Sequence, residues 1–301
     1  MFNPSVTLHS GTAVPENITF KSSPPDAIGT LQSVQLVACS NRSFRSLLDW
    51  LTLPLFVGPI ILFGGMAIWW MNVSTAGSIG FVGVALIVLI IMRWRSPIAI
   101  ETFVGDRGVA SLLHYVRGGH EETATTVLAF QDATELRYAI RDFYSNLSYN
   151  GSNFVFRWFN GNGQLIFSTY GAFYRSDVGI SEENNYYFGI AARNAWNRSL
   201  TTRLADEVKS TGQCRFRIFD TDQIAIGDGY LECVFGGRAT KLLPVDVASL
   251  SIVDGALQIE THAKKWYRHG RTGRINCGQI SNSDHFFRML EEYGGFRFSN
   301  E

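Results

Sequence analysis

The sequence predicts an α+β protein in which a transmembrane two-helix hairpin precedes two bent β-sheet or barrel units, each closed by a C-terminal helix. Three observations predict it. A long run of the chain carries no charge. The remainder is a succession of short β-type segments broken by turn signals. Those segments repeat in the same order along the chain.

The charge-free run comes first. The chain has 301 residues, of which 17% are charged, against about 25% in a typical soluble domain. The deficit is local: the 43 residues from Trp50 to Met92 hold no Asp, Glu, Lys or Arg. A helical span needs about 20 apolar residues. Leu51–Met71 supplies one, and Ile79–Met92, slightly extended, supplies the other; the polar stretch Asn72–Gly77 between them has turn composition. Trp50 and Trp94 fall at the outer ends and Trp69 and Trp70 at the inner ones, as in an aromatic belt at the membrane interfaces. Arg42 and Arg45 precede the first span, Arg93 and Arg95 follow the second, and the loop between has no basic residue. The positive-inside rule then predicts an integral protein of the plasma (inner) membrane with both termini cytoplasmic. The four parts expected are an N-terminal cytoplasmic segment (1–48), the hairpin (49–95), and two β units (98–210 and 213–297).

The β units are read from punctuation and period. Strand-like runs at Ile98–Val104, Phe154–Phe159, Gln164–Thr169, Tyr230–Phe235, Ser249–Val253, Ala256–Thr261 and Arg274–Gln279 are separated by pairs such as Asp228-Gly229, Gly236-Gly237 and Asp254-Gly255. Phe154, Phe156 and Trp158 alternate, so one sheet face is strongly apolar. A helix is expected over about Asn185–Ser210, where Ala192, Trp196, Leu200 and Leu204 recur every four residues. A second is expected over Ser283–Tyr293, with Ser283 as cap and Gly294-Gly295 as stop.

Strands followed by a helix, twice, point to a duplication. Tyr115-Val-Arg-Gly-Gly119 aligns with Cys233-Val-Phe-Gly-Gly237. Thr126, Leu128, Asp132 and Leu136 align with Thr240, Leu242, Asp246 and Leu250 at one constant offset. A meander of six or seven strands closed by a helix is pleckstrin-homology-like (PH-like) architecture. With the hairpin, the chain resembles bacterial membrane-anchored proteins of unknown function that combine a transmembrane hairpin with tandem PH-like domains. The residues carrying the resemblance are Gly229-Tyr230 with Phe235-Gly236-Gly237, Leu243–Leu250, Asp254–Glu260 and the terminal Asn282–Tyr293 helix. The resemblance implies a fold and no activity.

The search for chemistry yields no catalytic motif. The six histidines make no H-x-x-x-H or H-E-x-x-H pattern, the four cysteines have no metal-ligand spacing, and no nucleophile elbow or phosphate loop occurs. No catalytic residue, metal or cofactor is therefore assigned. The sharpest local feature is Lys264, Lys265, Arg268, Arg271 and Arg274 around Trp266 and Tyr267, five permanent cations in eleven residues without an acid. In a hairpin near a bilayer this set would contact anionic lipid or another anionic ligand; a solvated hairpin is the plain alternative. Net charge is zero, which disfavours nucleic acid. The function expected is a non-enzymatic, membrane-anchored scaffold or regulatory module. Its expected partners are membrane lipids, a membrane protein or a second copy of the chain. The alternatives are a subunit of a membrane-associated enzyme, or a membrane-state sensor.

Overall fold

The structure is a computed structural model that describes residues 6–38, 99–117, 120–145, 148–175, 179–219, 222–262 and 274–298. Strands β1 (Thr7–Leu8), β2 (Leu31–Ala38), β3 (Ala99–Gly105), β4 (Gly108–Arg117) and β5 (His120–Ala129) form one sheet in the order β1-β2-β3-β4-β5. A 3-10 turn at Phe130–Asp132 leads to β6 (Glu135–Ser145), β7 (Ser148–Phe159) and β8 (Leu165–Phe173), a three-stranded meander. Helix α1 (Asn185–Thr211) closes this unit.

The same order then recurs. Strands β9 (Gln213–Phe219), β10 (Asp222–Gly227), β11 (Tyr230–Phe235) and β12 (Arg238–Leu242) make a four-stranded meander. A 3-10 turn at Pro244–Asp246 leads to β13 (Val247–Val253), β14 (Ala256–Thr261) and β15 (Arg274–Asn276), and helix α2 (Ser283–Glu292) ends the unit. Asp132 and Asp246 both end the 3-10 turn between the two sheets of their unit.

Three points differ from the sequence reading. The first is the membrane hairpin and the fold class built on it. Strands make up 51% of the described residues, and neither described helix is long and apolar enough to cross a membrane. Helix α1 has the length, 27 residues, but Arg193, Arg198, Arg203, Asp206, Glu207 and Lys209 place charge along it. Helix α2 has ten residues, about 15 Å against the ~30 Å of a hydrocarbon core. The described fold is thus mostly β, and the reading of a transmembrane protein with both termini cytoplasmic is withdrawn. Residues 49–95, which carried that reading, lie outside the described residues together with Trp50, Trp69, Trp70 and Trp94.

The second point is the N-terminal segment, which is built into the first unit. β2 pairs antiparallel with β3 from Leu31↔Gly105 to Ala38↔Ala99. Residues on either side of stretch 39–98 are therefore opposite each other on one ladder. A satellite core of Val6, Ile28, Val34, Phe103, Ala110 and Leu112 seals the segment down.

The third is the cap of α2. Asn282, not Ser283, occupies that position, in the left-handed region at φ 52° and with no side-chain bond to its own helix. Its amide is used elsewhere, as shown below. Helix α1, by contrast, has a local cap: Asn184 Oδ1 accepts from Tyr186 N at 2.9 Å, and Gly212 ends the helix at φ 73°.

One apolar core runs through both units. Phe154, Phe156 and Trp158 from β7, Phe188, Trp196 and Leu200 from α1, Phe216 from β9 and Phe286 from α2 belong to a single buried cluster. The alternation read in β7 thus faces inward. The other face of the β6-β7-β8 sheet remains on the outside.

Candidate functional site

The outer face of β6-β7-β8 follows from strand period. Residues 137, 139, 141 and 143 of β6 share that face with 153, 155, 157 and 159 of β7, because the core face takes Leu136, Phe154, Phe156 and Trp158. The ladder sets Arg137 directly opposite Arg157 and Arg141 opposite Asn153. Like charges facing each other across an antiparallel pair are destabilising by roughly 0.2–1 kcal/mol. On the third strand, Tyr170 stands next to Val155 in register and is 74% exposed. Phe143, also on the outer face, is 47% exposed.

The second unit supplies a wall beside this face. The turn Cys277–Gln279 packs on β6. Gly278 makes the approach possible: a Cβ there would lie 3.2 Å from Ala139 Cβ and 3.3 Å from the Tyr138 carbonyl. The result is a groove of about 520 Å³ whose polar lining includes Arg137, Arg141, Arg157, Asn153, Asn276 and Gln279, and whose lining contains no Asp or Glu.

The three arginines are not equivalent. Arg137 Nη2 donates to Glu135 Oε2 at 2.8 Å, and its guanidinium lies over the Phe159 ring at 5.1 Å. Its buried Nε has no partner. Glu135, 6% exposed, also meets Arg217 Nε of β9 at 3.1 Å. One buried carboxylate therefore serves two guanidiniums. Arg141 and Arg157, both exposed, have no carboxylate within 4 Å among the described residues.

The groove keeps its shape through a junction centred on Asn282. Asn282 N donates to Leu136 O at 2.7 Å. Its Oδ1 accepts from Leu136 N at 2.9 Å and from Trp196 Nε1 at 3.0 Å, and its Nδ2 donates to Thr134 O at 3.1 Å. Asn282 thereby pairs with Leu136 on the free edge of β6, which a sheet otherwise leaves unsatisfied. Asp284, two residues later, accepts from Tyr138 Oη at 2.7 Å and Asn197 Nδ2 at 2.6 Å. Burial and the neighbouring Asp284 push the Tyr138 hydroxyl up to about 12. His285 donates from Nε2 to Asn197 O at 3.0 Å and accepts at Nδ1 from Arg288 at 2.9 Å; burial holds its pKa below the ordinary histidine value.

The sequence-predicted basic set fares differently. Lys264, Lys265, Arg268 and Arg271 lie outside the described residues. Arg274 opens β15 and is occupied: its Nη2 donates to Val253 O at 3.2 Å and meets Asp254 Oδ2 at 3.3 Å. It does not line the groove. Sequence reasoning missed Arg137, Arg141 and Arg157, because they are 4 and 16 residues apart and only strand pairing brings them together. The available signal was the i, i+4 spacing of Arg137 and Arg141 on one face of a strand.

The buried histidines are held in structural hydrogen bonds. His9 is held by Ser33 Oγ at 2.8 Å and Thr102 Oγ1 at 3.0 Å, and burial lowers its pKa to about 3. Glu101, His114 and Thr123 form a chain, with Glu101 Oε2 at 3.0 Å from His114 Nε2 and Thr123 Oγ1 at 3.1 Å from His114 Nδ1. Both Glu101 oxygens also accept from the backbone amides of Lys21 and Ser22, at 2.5 and 3.1 Å. That carboxylate anchors the N-terminal segment to the sheet. Among the described residues no three His, Cys, Asp or Glu side chains are placed to hold a metal ion. Compared with known proteins, the chain matches no protein-family model and no curated protein.

Proposed function

We propose that this chain is a non-enzymatic binding module that recognises an acidic surface of a partner protein through the outer face of β6-β7-β8 and the adjoining groove. The observation that carries the reading is the pair Arg141 and Arg157, exposed and without a carboxylate partner among the described residues, on a face where Arg157 opposes Arg137. Glu135 offsets the charge of Arg137, which leaves Arg141 and Arg157 as the cations that an acidic partner would neutralise. Tyr170 and Phe143 flank the cations, and a mixed arginine–aromatic surface is the composition enriched in protein interfaces. The core shared between the units presents this face on a firm support, which lowers the ordering cost of association.

The test is affinity capture with full-length protein from the native host. A partner retained by wild type should be lost by Arg141→Glu/Arg157→Glu and kept by the charge-matched control Lys209→Glu/Arg238→Glu. Equal retention by both double variants would overturn the assignment of this face.

A further inference from the structure

The groove is better matched to one kind of anion than to acidity in general. A carboxylate presents two oxygens, and a single guanidinium fork satisfies both. Here three guanidiniums line one groove of about 520 Å³ together with the amide side chains of Asn153, Asn276 and Gln279. Among the described residues only Arg137 of the three is offset by a carboxylate, and Glu135 divides its charge between Arg137 and Arg217. The groove thus offers more donors than a carboxylate has acceptors, and an excess of positive charge that one negative charge leaves uncompensated. A phosphoryl group supplies three terminal oxygens and up to two charges. The strand period places Arg141 one side-chain step beyond Ala139 from Arg137, so the three cations border an area and not a line. Phe143 and Phe159 border it with apolar surface, which suits a phosphoryl group carried on a larger body.

We infer that the groove between β6-β7 and the Cys277–Gln279 turn is a phosphoryl-binding site, with Arg141 and Arg157 as the principal ligands and Arg137 as a positioned third. This rests on the partner-binding reading for its biological source, but the site itself is testable without a partner. The association is non-covalent and requires no cofactor.

The experiment is calorimetric titration of the full-length protein with pyrophosphate at low ionic strength, alongside Arg141→Ala, Arg157→Ala and Arg274→Ala. Each lost charge-assisted contact should weaken binding about tenfold. The affinity of the first two variants should fall accordingly, and that of Arg274→Ala should stay at the wild-type value. Raising the salt toward 0.3 M should weaken wild-type binding as screening shortens. No saturable binding by wild type, binding unchanged in both groove variants, or equal affinity for citrate would overturn the inference. The partner reading would then stand or fall on the capture experiment alone. Phosphatase treatment of the host extract identifies the source. Loss of capture assigns the phosphoryl group to the partner. Undiminished capture with pyrophosphate binding intact assigns it to a free phosphorylated small molecule.

Discussion

Replacing Asn282 probes the junction that shapes the groove. In Asn282→Ala, Leu136 N, Trp196 Nε1 and Thr134 O all lose their side-chain partner. Leu136 is 1% exposed and Trp196 fully buried, so water does not readily replace the lost acceptor. An unsatisfied buried donor costs about 1–3 kcal/mol, and two such donors give about 2–6 kcal/mol. Asn282 already carries a Cβ at φ 52°, so alanine keeps the roughly 1–2 kcal/mol that the left-handed region costs a residue with a Cβ. Asn282→Gly loses the same hydrogen bonds but sheds that cost. Urea unfolding followed by circular dichroism and tryptophan emission gives both numbers. The expected order of stability is wild type, then glycine, then alanine, with the alanine variant at least about 2 kcal/mol below wild type. A lowered m value in either variant would show the second unit parting before the first unfolds. Both variants within 1 kcal/mol of wild type would refute the role given to this residue.

Three further outcomes are expected. His9, held neutral with a pKa of about 3, binds its proton in the unfolded chain from pH ~6.5 downward. The unfolded state then holds more protons, so stability falls with acidification through that window, by about 2 kcal/mol between pH 7 and 5; His9→Gln should flatten this part of the profile in urea melts at each pH. The Cys214 and Cys233 thiols are buried, and burial pushes both up to about 12. At pH 8 a disulfide reagent should modify them only on the timescale of unfolding, and modification as fast as that of free cysteine would contradict their placement. Tyr138→Phe removes the hydroxyl that donates to Asp284 and should cost about 1 kcal/mol in the same urea assay, with no change in m value.

What the sequence showed was local, and what it missed was pairing. Helix α1 was legible because Ala192, Trp196, Leu200 and Leu204 recur at helical period over several turns. The repeat was legible because Asp132 and Asp246 sit at one offset with their flanking threonines and leucines. β2 escaped notice because its partner β3 lies beyond stretch 39–98, and a ladder leaves no trace in local composition. The apolar run in 49–95 led to a membrane hairpin that no described helix supplies. Ser283 reads as a cap on residue type alone. Asn282 could not be ranked above it, because its partners Leu136 and Trp196 are 146 and 86 residues away. The basic cluster at 264–274 drew attention through density in sequence. The groove arginines form a comparable density only in space, once β6 and β7 are paired.

The surface proposed to meet a partner is the outer face of β6-β7-β8. Tyr170 and Val245 offer a matched pair for testing it, at 74% and 76% exposure on the first and second units. A photocrosslinking amino acid placed at each position in turn, followed by irradiation in the native host, compares the two directly. A discrete crosslinked species is expected from position 170 that is absent from position 245 and disappears with Arg141→Glu/Arg157→Glu. The same species from both positions, or its survival after the charge reversal, would contradict it.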